Sequence, residues 1–181
     1  FTPHMNPDVY PKESEAHFRE VFAEFKEKIN SPLSISLAAE YMVIKGFEDR
    51  VSSRADELLT YEDGSILIEM SYMYRSRNLE NVLFELNMAG LKPIIAHPER
   101  YLYMVDSLSD YERWMDMGAR FQMNYLSLTG QYGAASMKIL RHLLDHEMYS
   151  FVATDPHSNA QLERILTTMV DVKLLNKLPK Y

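Results

Sequence analysis

The sequence contains no cysteine. This absence excludes disulfides, thiol nucleophiles and cysteine-ligated metal ions. Long apolar runs are also absent, since no stretch approaches the roughly 20 apolar residues that a membrane-spanning helix needs, and we expect no membrane insertion. The first residues, FTPHMNPDVYPK, lack the basic segment and apolar core of a signal peptide. We therefore expect a cytoplasmic location.

Positive charge is scarce: the chain has 19 Lys and Arg against 26 Asp and Glu, and its formal net charge is −7. A nucleic-acid surface needs a basic face that replaces the counterions of the phosphates. We therefore expect no nucleic-acid partner. The length of 181 residues and the apolar content of 46% suit one domain over the whole chain.

Hydrophobic periodicity predicts alternating helices and strands along the chain. The predicted helices cover residues 13–30, 47–59, 79–86, 109–117, 134–146 and 159–175. The predicted strands cover 33–37, continuing towards Glu40, then 65–69, 93–96, 120–124 and 149–154, and residues 1–4 read as the end of another. This alternation is typical of parallel βα units in a barrel or an open sheet.

Polar side chains stand at or just after the ends of the predicted strands. They are His4, Glu40, Glu69, His97 and Asp155, with His157 two residues further on. Because the carboxyl ends of parallel strands gather on one face of the fold, we expect these six side chains to converge. Histidine and carboxylate without thiolate suit zinc, manganese or iron in a hydrolytic site, and clustered ions suit phosphoryl transfer.

Arg100 follows His97 by three residues and supplies a planar fork suited to phosphate oxygens. Structural alternatives stay open for each residue taken alone. They are exposed carboxylates at Glu40 and Glu69, a helix cap at Asp155, a hydrogen-bonded core histidine at His97, and an ion pair of Arg100 with Glu99 or another surface carboxylate. Three further histidines, His17, His142 and His146, lie within helical patterns, and we interpret them as surface or packing residues.

Six motifs in order, TPHMNPDVYP, LAAEYM, ILIEMSY, IIAHPERYLYM, FQMNYLSLTGQYG and ATDPHS, resemble those of the bacterial capsule and exopolysaccharide biosynthesis protein-tyrosine phosphatases. These enzymes belong to the PHP (polymerase and histidinol phosphatase) superfamily. The resemblance spans nearly the whole chain and implies an α/β fold, a distorted seven-stranded (βα) barrel. It also implies two to three divalent metal ions, manganese first and zinc or iron as alternatives. The implied activity is hydrolysis of phosphotyrosine on proteins by a metal-activated hydroxide, the substrate being a bacterial tyrosine kinase.

The resemblance also assigns residues. The metal ligands it implies are His4, Glu40, Glu69, His97, Asp155 and His157, with Glu40 bridging two ions. His97 and Arg100 are the implied catalytic residues, and Arg100 holds the phosphate. We predict that Tyr101, next to Arg100 on the same face, contacts an aromatic substrate.

The chain departs from the family pattern at its start. Family members begin with a strand that carries a His-x-His pair, and no such segment precedes Phe1, so we expect the first βα unit to be missing. Arg164 is only an approximate match to a second phosphate-binding arginine. Two rival functions remain: a phosphoesterase for a small ester such as histidinol phosphate, and an inactive module that binds phosphotyrosine or the kinase. The sequence leaves the oligomeric state open.

Overall fold

The structure, a computed structural model, describes residues 1–179. Within this part of the chain six strands alternate with helices. The strands are β1 His4–Met5, β2 Glu40–Met42, β3 Ser65–Glu69, β4 Lys92–Ala96, β5 Arg120–Asn124 and β6 Tyr149–Ala153. The helices are α1 Glu15–Lys28, α2 Phe47–Arg54, α3 Leu79–Met88, α4 Ser109–Asp116, α5 Gly133–Asp145, α6 Asn159–Thr167 and α7 Val172–Leu175.

The six strands form one sheet in chain order, β1-β2-β3-β4-β5-β6. The pairs β1–β2, β2–β3 and β5–β6 are parallel. This order is what short βα connections produce, and it confirms the predicted parallel α/β fold. The seven-stranded barrel is not confirmed and stays a prediction.

The chain divides into two compact units. The first unit comprises residues 1–69 and 76–94, and the second comprises residues 70–75 and the chain from residue 95 onward. No helix within residues 1–179 combines the length and the apolar content needed to cross a bilayer.

Helix α3 shows how apolar spacing builds the core of the first unit. Its apolar residues Leu79, Val82, Leu83 and Leu86 recur at helical spacing and are all buried. The chain then leaves the helix through Gly90, whose φ of 76° lies in the left-handed region that glycine adopts at little cost. The predicted helix and its glycine stop are confirmed.

The strand predicted over residues 33–37 is wrong, because residues 31–39 are irregular and β2 begins only at Glu40. Leu33, at the start of the alternating pattern, is 74% exposed. The backbone N–H of Ala38 donates to Phe1, whereas that of Ala39 donates to Leu59. The backbone partners therefore change from residue to residue. Glu40 is thus the first residue of its strand and does not lie at the carboxyl end.

The core of the second unit contains an aromatic cluster. Tyr111 packs edge-on against Trp114, with ring centroids 5.3 Å apart, and against Phe121, with centroids 5.6 Å apart. All three side chains are fully buried. Such edge-to-face pairs stabilise a core beyond the area that they bury.

The single helix predicted over residues 159–175 is wrong, since the structure has two helices, α6 and α7, with a break between them. Thr168 adopts an extended backbone, as β-branched residues do at little cost. Asp171 then starts a new helix by accepting a hydrogen bond from the backbone N–H of Lys173 at 2.9 Å.

Candidate functional site

The strand register of the first unit gathers three predicted ligands. His4 lies opposite Glu40, and Glu40 lies opposite Leu67. Because side chains alternate along a strand, Glu69 shares a face with Leu67, two residues before it. As a result, Nδ1 of His4 lies 2.9 Å from Oε2 of Glu40 and 3.0 Å from Oε1 of Glu69.

This cluster concentrates negative charge in a buried place. Glu40 and Glu69 are each 3% exposed, and two desolvated carboxylates need a positive partner. Hydrogen bonds that His4 donates to Glu40 and Glu69 raise the pKa of His4 to about 10, against the opposing effect of burial. The proton on His4 therefore supplies the compensating charge at neutral pH.

The same three side chains fit a divalent cation. One ligand atom from each of His4, Glu40 and Glu69 lies within 4.8 Å of the others. One nitrogen and two carboxylate oxygens form a donor set of the kind that zinc and manganese accept. A bound ion would take over the role of the proton on His4, which supports the predicted metal site.

Two predicted ligands of the second unit have an unusual backbone. His97 follows β4 with φ 33°, and Asp155 follows β6 with φ 44°. Among the non-glycine residues that the structure describes, only Glu147 shares this feature. A positive φ costs on the order of 1–3 kcal/mol outside glycine, and such residues concentrate at functional sites. Both residues therefore remain strong candidates.

Arg100 is held in place by aromatic rings and a carboxylate. The carbon of its guanidinium lies 4.5 Å from the ring centroid of Tyr72 and 4.6 Å from that of Tyr132. Its Nη1 lies 3.6 Å from Oδ2 of Asp155. Cation–π contacts on two rings restrict the plane of the guanidinium without occupying its N–H groups.

Other contacts link the remaining predicted residues to this group. Tyr72 Oη lies 3.2 Å from Nε2 of the buried His97. Asn124 Nδ2 donates to Oδ2 of Asp155 at 3.2 Å, and Nδ1 of the half-exposed His157 lies 3.7 Å from Oδ1 of the same carboxylate. Arg100, Asp155 and His157 therefore come together, and Tyr72 connects His97 to them.

Glu99 has a structural task that the sequence did not reveal. The carboxylate is fully buried and accepts hydrogen bonds from the backbone N–H of Asn124 at 2.9 Å, from Ser127 Oγ at 2.6 Å and from Tyr149 Oη at 2.9 Å. Burial, and then the nearby charge of Glu99, raise the pKa of Tyr149. The ion pair with Arg100 is not formed, because Arg100 pairs with Asp155.

Tyr101 is also fully buried. Its hydroxyl donates to the carbonyl of Ala96 at 3.0 Å and accepts from the backbone N–H of Met70 at 2.9 Å. In this structure the side chain offers no surface to a substrate. We therefore assign Tyr101 a positioning role in place of the predicted substrate contact.

Sequence reasoning missed Tyr72, Tyr132 and Asn124. All three lie in quoted motifs, in ILIEMSY and FQMNYLSLTGQYG. Tyr72 and Asn124 lie at or near the ends of strands, whereas Tyr132 directly precedes α5. The position of Tyr72 just after β3 was a usable signal. The enclosure of Arg100 by two rings was not, since no local pattern encodes which rings meet across the unit.

Comparison with known proteins adds an independent finding. Residues 1–172 match the family model described as capsular polysaccharide synthesis, CpsB/CapC. The chain is 29% identical over 161 residues to the tyrosine-protein phosphatase YwqE of Bacillus subtilis, covering 87% of the chain and 62% of that protein. It is 26% identical over 141 residues to the tyrosine-protein phosphatase CpsB of Streptococcus pneumoniae, covering 75% of the chain and 57% of that protein.

A solved structure gives the same indication. The crystal structures of YwqE from Bacillus subtilis and CpsB from Streptococcus pneumoniae, described as unique metal-dependent tyrosine phosphatases, include a chain that matches with a TM-score of 0.68 and 28% identity. The match covers 91% of this chain and 70% of that one. The chain spans about three fifths of the length of the curated relatives that it matches.

Proposed function

The chain belongs to the CpsB/CapC family of capsular polysaccharide synthesis proteins, and from this premise we propose that it is a metal-dependent phosphatase acting on phosphotyrosine in proteins. The observation that carries the proposal is the His4–Glu40–Glu69 cluster, where two buried carboxylates face one histidine. The relatives YwqE and CpsB are named tyrosine phosphatases and described as metal-dependent. This likeness supports the same reaction here.

For the metal, we propose that His4, Glu40 and Glu69 hold a divalent ion, manganese first, with zinc or iron as alternatives. The full proposed ligand set, for two to three ions, is His4, Glu40, Glu69, His97, Asp155 and His157. A bound divalent ion supplies Lewis-acid stabilisation of phosphoryl oxygens and acidifies water. We further propose that the parallel sheet belongs to a seven-stranded barrel, as the family resemblance implies.

Arg100 is the proposed phosphate-binding residue. The rings of Tyr72 and Tyr132 lie 4.5 Å and 4.6 Å from the guanidinium carbon. Such ring contacts consume no N–H donor, so N–H groups of the fork remain to donate to phosphoryl oxygens. Asp155 fixes one edge of that plane. The positive charge then offsets the negative charge that develops on the phosphoryl group.

The leaving group of the proposed reaction is a phenolate, which needs little protonation in order to depart. Tyrosine has a pKa of about 10, so its phenolate departs with only modest assistance. The chain has no cysteine, which excludes a cysteinyl-phosphate intermediate on this chain. The proposed physiological substrate is a bacterial tyrosine kinase that controls capsule or exopolysaccharide synthesis, and the proposed location is the cytoplasm.

The test is phosphate release from a phosphotyrosine peptide, measured with added Mn²⁺ and then with a chelator. We expect chelator-sensitive release that Glu69→Gln abolishes and Glu24→Gln retains. Glu24 is the matched control because its carboxylate is exposed and pairs with Lys28 on the same helix. Faster release from histidinol phosphate would favour the small-ester reading. No release with Mn²⁺, Zn²⁺ or Fe²⁺ from folded protein would overturn the proposal in favour of a binding module.

A further inference from the structure

A second cluster of metal-capable side chains lies in the second unit, away from the predicted ligand set. It consists of Glu112 on α4 and the pair His142 and His146 at the end of α5. One ligand atom from each side chain lies within 4.8 Å of the others. The helical pattern of the sequence favoured surface or packing roles for both histidines, and only the fold brings them next to Glu112.

Helical spacing explains why the two histidines meet. Residues four apart lie on the same side of a helix, one turn above the other. The imidazole rings of His142 and His146 accordingly stand 4.2 Å apart between centroids. A histidine pair at this spacing offers two nitrogen donors to one ion without any change in the backbone.

Hydrogen bonding prepares the ring of His146 as a ligand. Its Nδ1 lies 2.9 Å from the backbone carbonyl oxygen of His142. A carbonyl only accepts, so Nδ1 carries the proton and the lone pair is left on Nε2. Metal-binding histidines in general fix their tautomer by such a bond from the other ring nitrogen.

The ring of His142 has a buried nitrogen that is available as a ligand. Its Nε2 is buried and has no hydrogen-bond partner within residues 1–179. A buried polar atom of this kind needs a physical reason, and a bound ion is one. The carboxylate of Asp145, which precedes His146 in the chain, is already paired with Lys177.

We propose that Glu112, His142 and His146 bind a transition-metal ion of the zinc class, which joins α4 to α5. Two imidazoles and one carboxylate form a three-ligand set that leaves one tetrahedral position open, as in zinc sites of the His₂Glu type. Calcium and magnesium are disfavoured because they require oxygen ligands. Glu112 and His146 are exposed, so their side chains are free to close the gap to the bond lengths of about 2.0–2.2 Å that zinc requires.

Trp114 provides a local readout, since it is the only tryptophan of the chain and lies on α4 two residues after Glu112. Copper(II) binds such donor sets more tightly than zinc and is the probe. We expect Cu²⁺ to quench the fluorescence of Trp114 in a saturable titration. The variants His146→Gln and His142→Gln should weaken the apparent affinity at least about tenfold, as the loss of a ligand requires.

Two controls separate this site from the proposed phosphatase site. His17→Gln changes an exposed histidine of α1 and should leave the titration unchanged. Glu69→Gln removes a proposed catalytic ligand and should also leave it unchanged. Added Zn²⁺ should displace Cu²⁺ and restore the fluorescence in the unaltered protein.

Metal-supported phosphate release should persist in His146→Gln. Quenching of equal affinity in His142→Gln, His146→Gln and the unaltered protein would overturn the proposal. So would quenching that Glu69→Gln abolishes. Circular dichroism verifies that each variant is folded, and the exposed His146 is the change least able to disturb the fold.

Discussion

His4 lies within hydrogen-bond distance of two buried carboxylates, and this position controls its proton. Hydrogen bonds with Glu40 and Glu69 raise the pKa of His4 from 6.5 to about 10. A protonated imidazole has no lone pair for a cation, so a bound ion must displace the proton. At pH values well below the folded-state pKa of about 10 we expect each ion bound at this cluster to release about one proton, and its affinity to rise with pH.

Calorimetric titration of the metal-free protein with Mn²⁺, in two buffers that differ in ionisation enthalpy, measures that release. His4→Gln should remove the difference between the buffers, whereas His17→Gln should keep it. Equal heats in both buffers would contradict the assignment of His4. In the metal-free protein the raised pKa stabilises the fold, and this contribution is fully present below pH 6.5 and is lost as the pH rises through about 10.

The guanidinium of Arg100 also supports a prediction at the residue scale. Lysine keeps the charge but has neither the planar fork nor a flat face for Tyr72 and Tyr132. We therefore expect Arg100→Lys to lower kcat/KM for a phosphotyrosine peptide by on the order of 10²-fold, the usual cost of one misplaced transition-state donor.

Steady-state kinetics with Tyr132→Phe and Tyr132→Ala provides the control for that effect. Tyr132→Phe keeps the aromatic ring beside Arg100, and its kcat/KM should stay near that of the unaltered protein. Tyr132→Ala removes the ring contact with Arg100, and its kcat/KM should fall towards that of Arg100→Lys. Full activity in Arg100→Lys would argue against a phosphate contact by Arg100.

At the scale of elements, regular apolar patterns predicted the structure well. Strands β3 and β5 were predicted to the residue, because each carries a short apolar or alternating run between clear turn signals. The strand over 33–37 failed because alternation fixes which side chains share a face but not which backbone pairs with which. The prediction of one helix over 159–175 was wrong because the side chain of Asp171 caps a separate helix. Such a local hydrogen bond competes with a continuous helix and leaves no trace in the hydrophobic periodicity.

The turn of residues 98–100, which carries Arg100, depends on the buried Glu99 at its centre. Its carboxylate satisfies three donors, from Asn124, Ser127 and Tyr149. Replacing it by the amide in Glu99→Gln weakens acceptance and turns an N–H₂ group towards one of those donors. We expect a loss of about 1–3 kcal/mol in the free energy of unfolding.

Urea denaturation followed by circular dichroism measures this loss. Glu27→Gln, on an exposed position of α1, should change the unfolding free energy by less than about 0.5 kcal/mol. A Glu99→Gln variant as stable as the Glu27→Gln control would show that the buried carboxylate is not needed to hold the turn.

At the scale of the whole molecule, parallel βα order repeats along the chain, and strand-end reasoning used that order to select its candidate residues. Glu69, His97 and Asp155 do follow strands or end them. The same reasoning could not find Tyr132 or the group of Glu112 with the two histidines at the end of α5. These depend on how separate elements pack, and packing has no signature in a local window of sequence.

The ligands of the first cluster come from β1, β2 and β3, with His4 and Glu69 separated by 65 positions in the chain. Only the folded protein brings them together, so a bound ion must stabilise the native state by mass action. At an ion concentration about 100 times the dissociation constant, the gain is about 2.7 kcal/mol. For a chain of this size that gain corresponds to a rise in Tm of about 5–10 °C.

Thermal unfolding followed by circular dichroism, with Mn²⁺ and then with excess chelator, measures this shift. We expect the rise in the unaltered protein and in Glu24→Gln, and its loss in Glu69→Gln. The His146→Gln variant should show the same rise as the unaltered protein, since the Mn²⁺ effect belongs to β1–β3 and the α5 pair prefers zinc-class ions. If the Tm stays unchanged at every Mn²⁺ concentration, then His4, Glu40 and Glu69 do not form a metal site. The proton on His4 alone would then compensate the charge of the two carboxylates.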